Sequence, residues 1–204
     1  MEAFRSIEFR RWEGGGDIRT TYVDAYLMRG LNRYHQGAYD QALQDFNQAL
    51  KYPENIQAAK FYHGGRQAQI HYFAGLACEA MDDSKNAEKH FKQAVSGKKG
   101  GNASEMHFYE ARALEKLYMG GKAQEIFLDI IQNGKERLKQ TSSMGFFAKF
   151  GEQESTDAQK ANARYLIGLG YLGSGNKEKA QEEFRKALEL DMDHMWARYY
   201  LSGK

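Results

Sequence analysis

The residues able to do chemistry in this chain are few and scattered. His63, His71, His90 and His107 carry ring nitrogens of the kind that ligate transition metals or move protons near neutral pH. His63 and His71 are eight apart, His90 and His107 fall in different sequence units, and no acidic or cysteine ligand joins them at metal spacing. That pattern predicts surface or partly buried imidazoles on helices and no metal site. Cys78 is the single cysteine. Apolar neighbours on a helical stretch predict a small core residue there, since a reactive thiol needs a cation or base beside it. A lone cysteine makes no internal disulfide, which favours a reducing compartment. Gly14-Gly15-Gly16 and the run SGKKGGN from Ser96 to Asn102 share glycine content with phosphate loops but not P-loop spacing, so both read as helix terminators. Glu178, Glu182 and Glu183 alternate with Lys179 and Lys186. Glu182 with Lys186, and Glu88 with Lys92, are i,i+4 pairs contributing about 0.2–0.5 kcal/mol each as solvated support, not acid/base dyads. The sequence therefore reads as non-catalytic, with no catalytic residue, no metal and no cofactor.

The elements that carry these residues are helices. Valine, isoleucine and threonine together number 14 while alanine occurs 24 times, so the β-branched side chains that strands favour are nearly absent. One proline, Pro53, interrupts the chain, and many of the 21 glycines fall between helical segments. The 29 basic and 27 acidic residues balance to +2, too little charge to argue for nucleic acid or an anionic membrane. No transmembrane run or secretory signal is visible, and the expectation is a cytoplasmic protein.

A repeat organises the helices. Alanine is followed by phenylalanine at four and a small or apolar residue at seven in Ala42/Phe46/Ala49, Ala87/Phe91/Ala94, Ala123/Phe127/Ile130 and Ala180/Phe184/Ala187. Twelve residues before each alanine stands another small residue: Gly30, Gly75, Ala111 and Gly168. Small residues at two crossing points, with an aromatic one turn beyond, describe an antiparallel helix pair that buries its apolar face by stacking on a neighbour. Residues 1-17 are expected to form an opening helix ended by glycines. Residues 18-204 are expected to form one repeat domain, with units at about 18-53, 66-96, 104-138 and 156-190 and a cap at 193-202. The second helices of the last two units are read as Lys122 to Leu138 and Lys177 to Leu190, and the first helix of the fourth as Thr156 to Gly173. The anchoring alanines lie 45, 36 and 57 apart, so extra chain must sit between units. The largest insertion, Thr141 to Ser155, holds Met144, Phe146, Phe147 and Phe150, too apolar for a free loop; it is expected to fold back on the repeat surface.

The fourth unit, ARYLIGLGYLGSGNKEKAQEEFRKALELDMDH, resembles a tetratricopeptide repeat (TPR) through Gly168, Tyr171, Gly175, Ala180, Phe184 and Ala187. The first unit resembles it nearly as closely through Tyr26, Gly30, Gly37, Tyr39, Ala42, Phe46 and Ala49. The middle two depart from the pattern: Asp82 replaces a turn glycine, Ala111 the inner glycine and Ile130 the last alanine. The resemblance implies an all-α, TPR-like α-solenoid of about four antiparallel helix pairs with an opening helix and a C-terminal capping helix. A narrower likeness rests on EFRRWEGGGD, YPEN from Tyr52, GFFAKFGE from Gly145 and the fourth repeat, in that order. Together they look like the C-terminal repeat region of large bacterial proteins in which a β-rich, carbohydrate-associated domain precedes the repeats. That likeness implies a piece, or a relative, of a longer polypeptide, and transfers no carbohydrate activity to any residue here.

In stacked repeats the positions three before and one after each inner small residue are expected to line a concave groove. Those residues are Leu27 and Leu31, Tyr72 and Leu76, Phe108 and Arg112, and Tyr165 and Leu169. Repeat proteins that clamp a terminal carboxylate have lysine and asparagine at such positions; here they are mostly apolar, which suits a hydrophobic segment. The expected function is a scaffold whose partner is a protein segment or a neighbouring domain of a longer polypeptide, with no nucleic acid and no membrane. The alternative is a structural or oligomerisation module of a larger carbohydrate-associated protein. RNA binding would need a continuous basic stripe, and Lys98, Lys99, Lys135, Arg137 and Lys139 are only scattered candidates.

Overall fold

A computed structural model describes residues 18–51, 65–97, 103–144 and 150–203. The opening helix expected over 1-17, Pro53 and the Lys98-Lys99 pair lie outside the described residues. Among the described residues the regular structure is helical throughout, as the scarcity of β-branched residues requires. Two compact units, Met1–Lys99 and Gly100–Lys204, make up the chain.

The first unit holds two antiparallel hairpins, α1 (Ile18–His35) with α2 (Tyr39–Ala49) and α3 (Gln67–Ala80) with α4 (Ser84–Val95). The second holds α5 (Glu105–Lys116) with α6 (Gly120–Met144) and α7 (Phe150–Gly173) with α8 (Lys177–Leu190), followed by the short α9 (Met195–Leu201). Each hairpin turns in the same way. The amide of Ala38 bonds the Arg33 carbonyl at 2.9 Å, Asp83 bonds Cys78 at 3.0 Å, Met119 bonds Leu114 at 2.8 Å and Asn176 bonds Tyr171 at 2.9 Å. This six-to-one bond requires a left-handed residue just before the donor. Gly37 (φ 78°), Asp82 (φ 59°), Tyr118 (φ 60°) and Gly175 (φ 80°) fill that position. Two hairpins thus have the residue that adopts this conformation freely, and two do not.

The repeat spacing is a lock between helices. A Cβ at Gly30 would lie 2.4 Å from the Phe46 ring, one at Gly75 2.5 Å from Phe91, and one at Gly168 2.5 Å from Phe184. In each case the ring occupies the space a Cβ would take, and Phe46, Phe91 and Phe184 are all buried. The third hairpin has Ala111 where the others have glycine. Its Phe127 finds the bare backbone elsewhere: a Cβ at Gly173 of α7 would stand 2.2 Å from the ring. The missing glycine of one hairpin is thus supplied by the next. Gly134 against Ile167 and Gly170 against Ile131 bring α6 and α7 together by the same device.

Within the insertion read at Thr141 to Ser155, residues 141–144 and 150–155 are helix. The α6 helix runs Gly120–Met144, beyond the expected end at Leu138, and α7 starts at Phe150, ahead of Thr156. No glycine or proline interrupts 135–144, and the helix runs through Met144. Thr141 is buried and its Oγ1 donates to the Arg137 carbonyl at 2.8 Å, closing the last turns. The side chains of Met144, Phe146, Phe147 and Phe150, expected to fold back on the surface, lie outside the described residues.

Candidate functional site

The eight expected groove residues divide unevenly. Leu27, Leu31 and Tyr72 in the first unit, and Phe108, Tyr165 and Leu169 in the second, are buried; only Leu76 and Arg112 are half-exposed. The first helices bury a wider arc than a single seam requires. On α3, Ala68, Ile70, Tyr72, Phe73, Ala77 and Cys78 are all enclosed, because the helix packs on α2 as well as α4. Positions flanking the inner glycine lie within that arc and serve the core. Tyr72, for example, is 5.6 Å from Phe73 and 6.2 Å from Phe91 between ring centroids. Arg112 meets Glu115 at 2.6 Å on the surface of α5.

In the second unit, the rings of this expected groove close around one side chain of the chain itself. Tyr200, on α9, stacks on Phe184 at 5.7 Å and 20° and meets Phe108 edge-on at 5.9 Å and 85°. It lies 6.4 Å from Tyr165, and its hydroxyl bonds that of Tyr109 at 2.8 Å. Burial, with Tyr109 beside it, raises the Tyr200 phenol well above its ordinary pKa, so it stays neutral. Tyr165 donates to Glu105 at 2.8 Å and packs on the His194 ring at 4.6 Å. His194 begins α9: its Nδ1 accepts from the Ala197 amide at 3.2 Å, which leaves Nε2 as the donor to Asn162 Oδ1 at 3.2 Å. The cap expected at 193-202 contains Trp196, Tyr199 and Tyr200. Trp196 and Ala197 are indeed buried, but the 91-residue step from Tyr109 to Tyr200 has no spacing signal.

The histidines behave differently from one another. His71 and His90 face each other across α3 and α4, Nδ1 to Nδ1 at 3.2 Å, one donating to the other. Desolvation by burial, and then His90, lower the His71 pKa to about 4; burial and Lys89 lower that of His90. Both rings are therefore neutral near pH 7. The pairing was missed in the sequence, although Arg164 and Glu183, 19 residues apart like His71 and His90, meet at 2.9 Å in the same part of their hairpin. His107 caps α5, its Nδ1 accepting from the Ser104 amide at 3.1 Å. Cys78 is buried, and burial raises its thiol pKa, as expected of a core residue. His63 lies outside the described residues. Among the described residues no group of three or more histidine, cysteine, aspartate or glutamate side chains could hold a metal ion, and no helix is long and apolar enough to cross a membrane.

Of the basic candidates, Lys135 and Lys139 are exposed, while Arg137 turns inward to the Ala103 carbonyl at 3.2 Å. Those three form no continuous basic stripe.

Tetratricopeptide repeat family models match residues 161–194, 23–56 and 68–96, so the chain contains tetratricopeptide repeats. Residues 103–144, where Ala111 and Tyr118 break the pattern, lie outside those matches. Several solved structures are similar. YrrB, described as a TPR protein with an unusual peptide-binding site, has 19% identity over 89% of this chain and 96% of its own, with a TM-score of 0.32. MamA from residue 41 to its end, from Desulfovibrio magneticus RS-1, has 17% identity over 88% and 81%, with a TM-score of 0.32. The C-terminal part of a TPR repeat-containing protein from Cytophaga hutchinsonii has 16% identity over 87% and 69%, with a TM-score of 0.31. Among the described residues the fold is all-α, and the hairpins in the matched stretches are TPR-like.

Proposed function

We propose that this chain is a non-catalytic helical-repeat scaffold that holds a protein segment, either of another protein or of a neighbouring domain. The observation that carries the reading is the recurrence of one hairpin in chain stretches that match tetratricopeptide repeats. Each such hairpin is locked by a phenylalanine on a bare helix backbone. A backbone fixed in this way has little left to order on binding, which lowers the entropic cost of complex formation. The contact surface differs from a continuous apolar groove. Leu76 and Arg112 are the groove positions open to a partner, and the buried Leu27, Leu31, Tyr72, Phe108, Tyr165 and Leu169 set the helices that present them.

The test is a capture experiment from source-cell lysate with the parent chain and with Leu76→Glu and Arg112→Glu. Both positions are half-exposed, and an unchanged helical circular dichroism spectrum is the control that the variants fold. Partners retained by the parent and lost by at least one variant support the scaffold. Identical capture by all three refutes these contact positions. The second reading, a structural or oligomerisation module of a larger carbohydrate-associated protein, is favoured by the order of the EFRRWEGGGD, YPEN and GFFAKFGE motifs. A reading frame with a β-rich domain ahead of residue 1 would support it.

A further inference from the structure

The fourth hairpin joins its two helices by a charged pair, Arg164 with Glu183. At the same spacing in the second hairpin stand two imidazoles, His71 on α3 and His90 on α4. Neutral rings gain no charge attraction from that placement. What they have is the spacing of a chelate. Their Nδ1 atoms are 3.2 Å apart, and their ring centroids 5.4 Å. An ion held by two imidazole nitrogens at about 2.0–2.1 Å, with a tetrahedral angle between them, sets those nitrogens about 3.3–3.4 Å apart. The existing separation therefore needs to open by only about 0.1–0.2 Å. The helices that carry the rings are already fixed here, because Phe91, next to His90, fills the Cβ space of Gly75, one turn after His71.

We propose that His71 and His90 form a binding site for a divalent transition metal ion of the zinc class, and that the bound ion clasps α3 to α4. Imidazole nitrogen suits zinc, copper and nickel, whereas magnesium and calcium take oxygen ligands. Among the described residues no third histidine, cysteine or carboxylate completes the site, so water fills the remaining positions. Both rings are half-exposed, which gives water that access. Binding needs a lone pair on each Nδ1. One Nδ1 now donates its proton to the other; on metal binding that proton passes through water to Nε2 of the same ring, and no net proton is released. Burial keeps both rings neutral, so protons compete little with the ion near pH 7. Lys89 opposes a dication beside His90, but it is exposed and screened by salt. Glu88 is already paired with Lys92. The sequence spacing hid the site because its ligands come from two helices rather than from one helix face. The site is independent of what the scaffold holds.

The test uses the untagged full chain, stripped of metal with a chelator, at pH 7.5. Zinc chloride at about 100 µM is expected to raise the folding equilibrium constant, measured by urea unfolding, at least tenfold. Magnesium chloride at the same concentration should leave it unchanged. His71→Gln and His90→Gln should each lose the zinc effect, and His107→Gln, which removes an imidazole elsewhere, should keep it. No zinc effect in the parent, an equal effect in the His71 and His90 variants, or an equal effect of magnesium overturns the proposal. Imidazole nitrogen-15 spectra of the parent test the same point without any variant. The Nδ1 signals of His71 and His90 should move together and saturate at one equivalent of zinc, with His107 unmoved. Zinc that shifts other histidines before these two overturns the site.

Discussion

Replacing Gly168 by alanine separates the packing argument from helix propensity, because the two predict opposite signs. Propensity alone favours alanine in a helix interior by about 1 kcal/mol. Packing opposes it. The new Cβ would stand 2.5, 2.7 and 3.1 Å from Cε1, Cδ1 and Cζ of Phe184, where contacting carbons sit at about 3.5–4.0 Å. The ring has little room to retreat, since Tyr200 stacks on it and Tyr165 lies 6.0 Å away. Overpacking of this kind costs about 1–3 kcal/mol, which leaves a net loss of up to about 2 kcal/mol after the propensity gain. Gly121→Ala is the matched control: nothing lies within 4 Å of its Cβ, so propensity acts alone and stability rises by up to about 1 kcal/mol. Urea unfolding followed by far-ultraviolet circular dichroism measures both. Adding Phe184→Leu, which shortens the side chain at the contact, should recover about 1 kcal/mol relative to the sum of the single variants. If Gly168→Ala is as stable as Gly121→Ala, the phenylalanine does not lock on the glycine and the repeat has been misread.

The other expectations concern the turns and the buried polar groups. Tyr118→Gly should raise stability by about 1 kcal/mol, because Tyr118 has a φ of 60° and is 98% exposed, so relief of strain costs no packing; an unchanged midpoint refutes the strain. His71 and His90 have folded-state pKa values below their unfolded ones, so the unfolded chain binds more protons. Stability is then full above about pH 6.5 and falls as pH drops towards 4. Allowing for screening of these half-exposed rings, the pair should contribute about 1–2 kcal/mol of that loss. His71→Leu/His90→Leu should reduce that slope in an unfolding series over pH, and an unaltered slope refutes the assignment. Asp45, 1% exposed, accepts from Arg29 Nε at 3.0 Å and Arg33 at 2.8 Å, so Asp45→Asn should cost about 2 kcal/mol of unfolding free energy. A loss below about 0.5 kcal/mol would show that the two guanidiniums are satisfied by water instead.

Hairpins were legible in the sequence wherever the constraint is local. Ala42/Phe46/Ala49 and Ala180/Phe184/Ala187 mark one face of a helix, and Gly30 and Gly168 mark the crossing that receives the ring, so spacing alone places all four groups. The turns were half legible. Gly37 and Gly175 announce a left-handed residue, whereas Asp82 and Tyr118 take the same conformation because the flanking helices impose the six-to-one bond on them. Six of the eight expected groove positions are buried for a geometric reason: helix periodicity says which residues share a face, but not how wide an arc the neighbouring helices cover. The slot around Tyr200 was not legible, since contacts from α9 back to α5 and α7 depend on tertiary closure, which leaves no local pattern.

The polar pairs between first and second helices show how one repeat geometry admits different chemistry. Residues 19 apart meet at the same place in two hairpins: Arg164 with Glu183, and His71 with His90. The first is a charged brace, joined by Lys186 to Glu183 at 3.2 Å, and the second is a neutral one. In the first hairpin the acid is Asp45, and its partners Arg29 and Arg33 come from 16 and 12 residues away. The third hairpin has His107 and Ile126 at this spacing. Ile126 has no group for an imidazole to bond, and His107 turns to the Ser104 amide instead, becoming a cap. The repeat therefore fixes where a brace can stand, and the residue type decides whether the brace is ionic, pH-sensitive or given over to another task. The hairpin whose residues 19 apart are not both polar is also the one with Ala111 in place of glycine, Tyr118 in the strained turn and Phe127 seated on Gly173 of the next helix. Its stability depends on α7 more than on its own pairing, and α5 supplies the rings that receive Tyr200. Apart from Asp82, the departures from the repeat thus gather in the unit where the chain packs its own terminal helix.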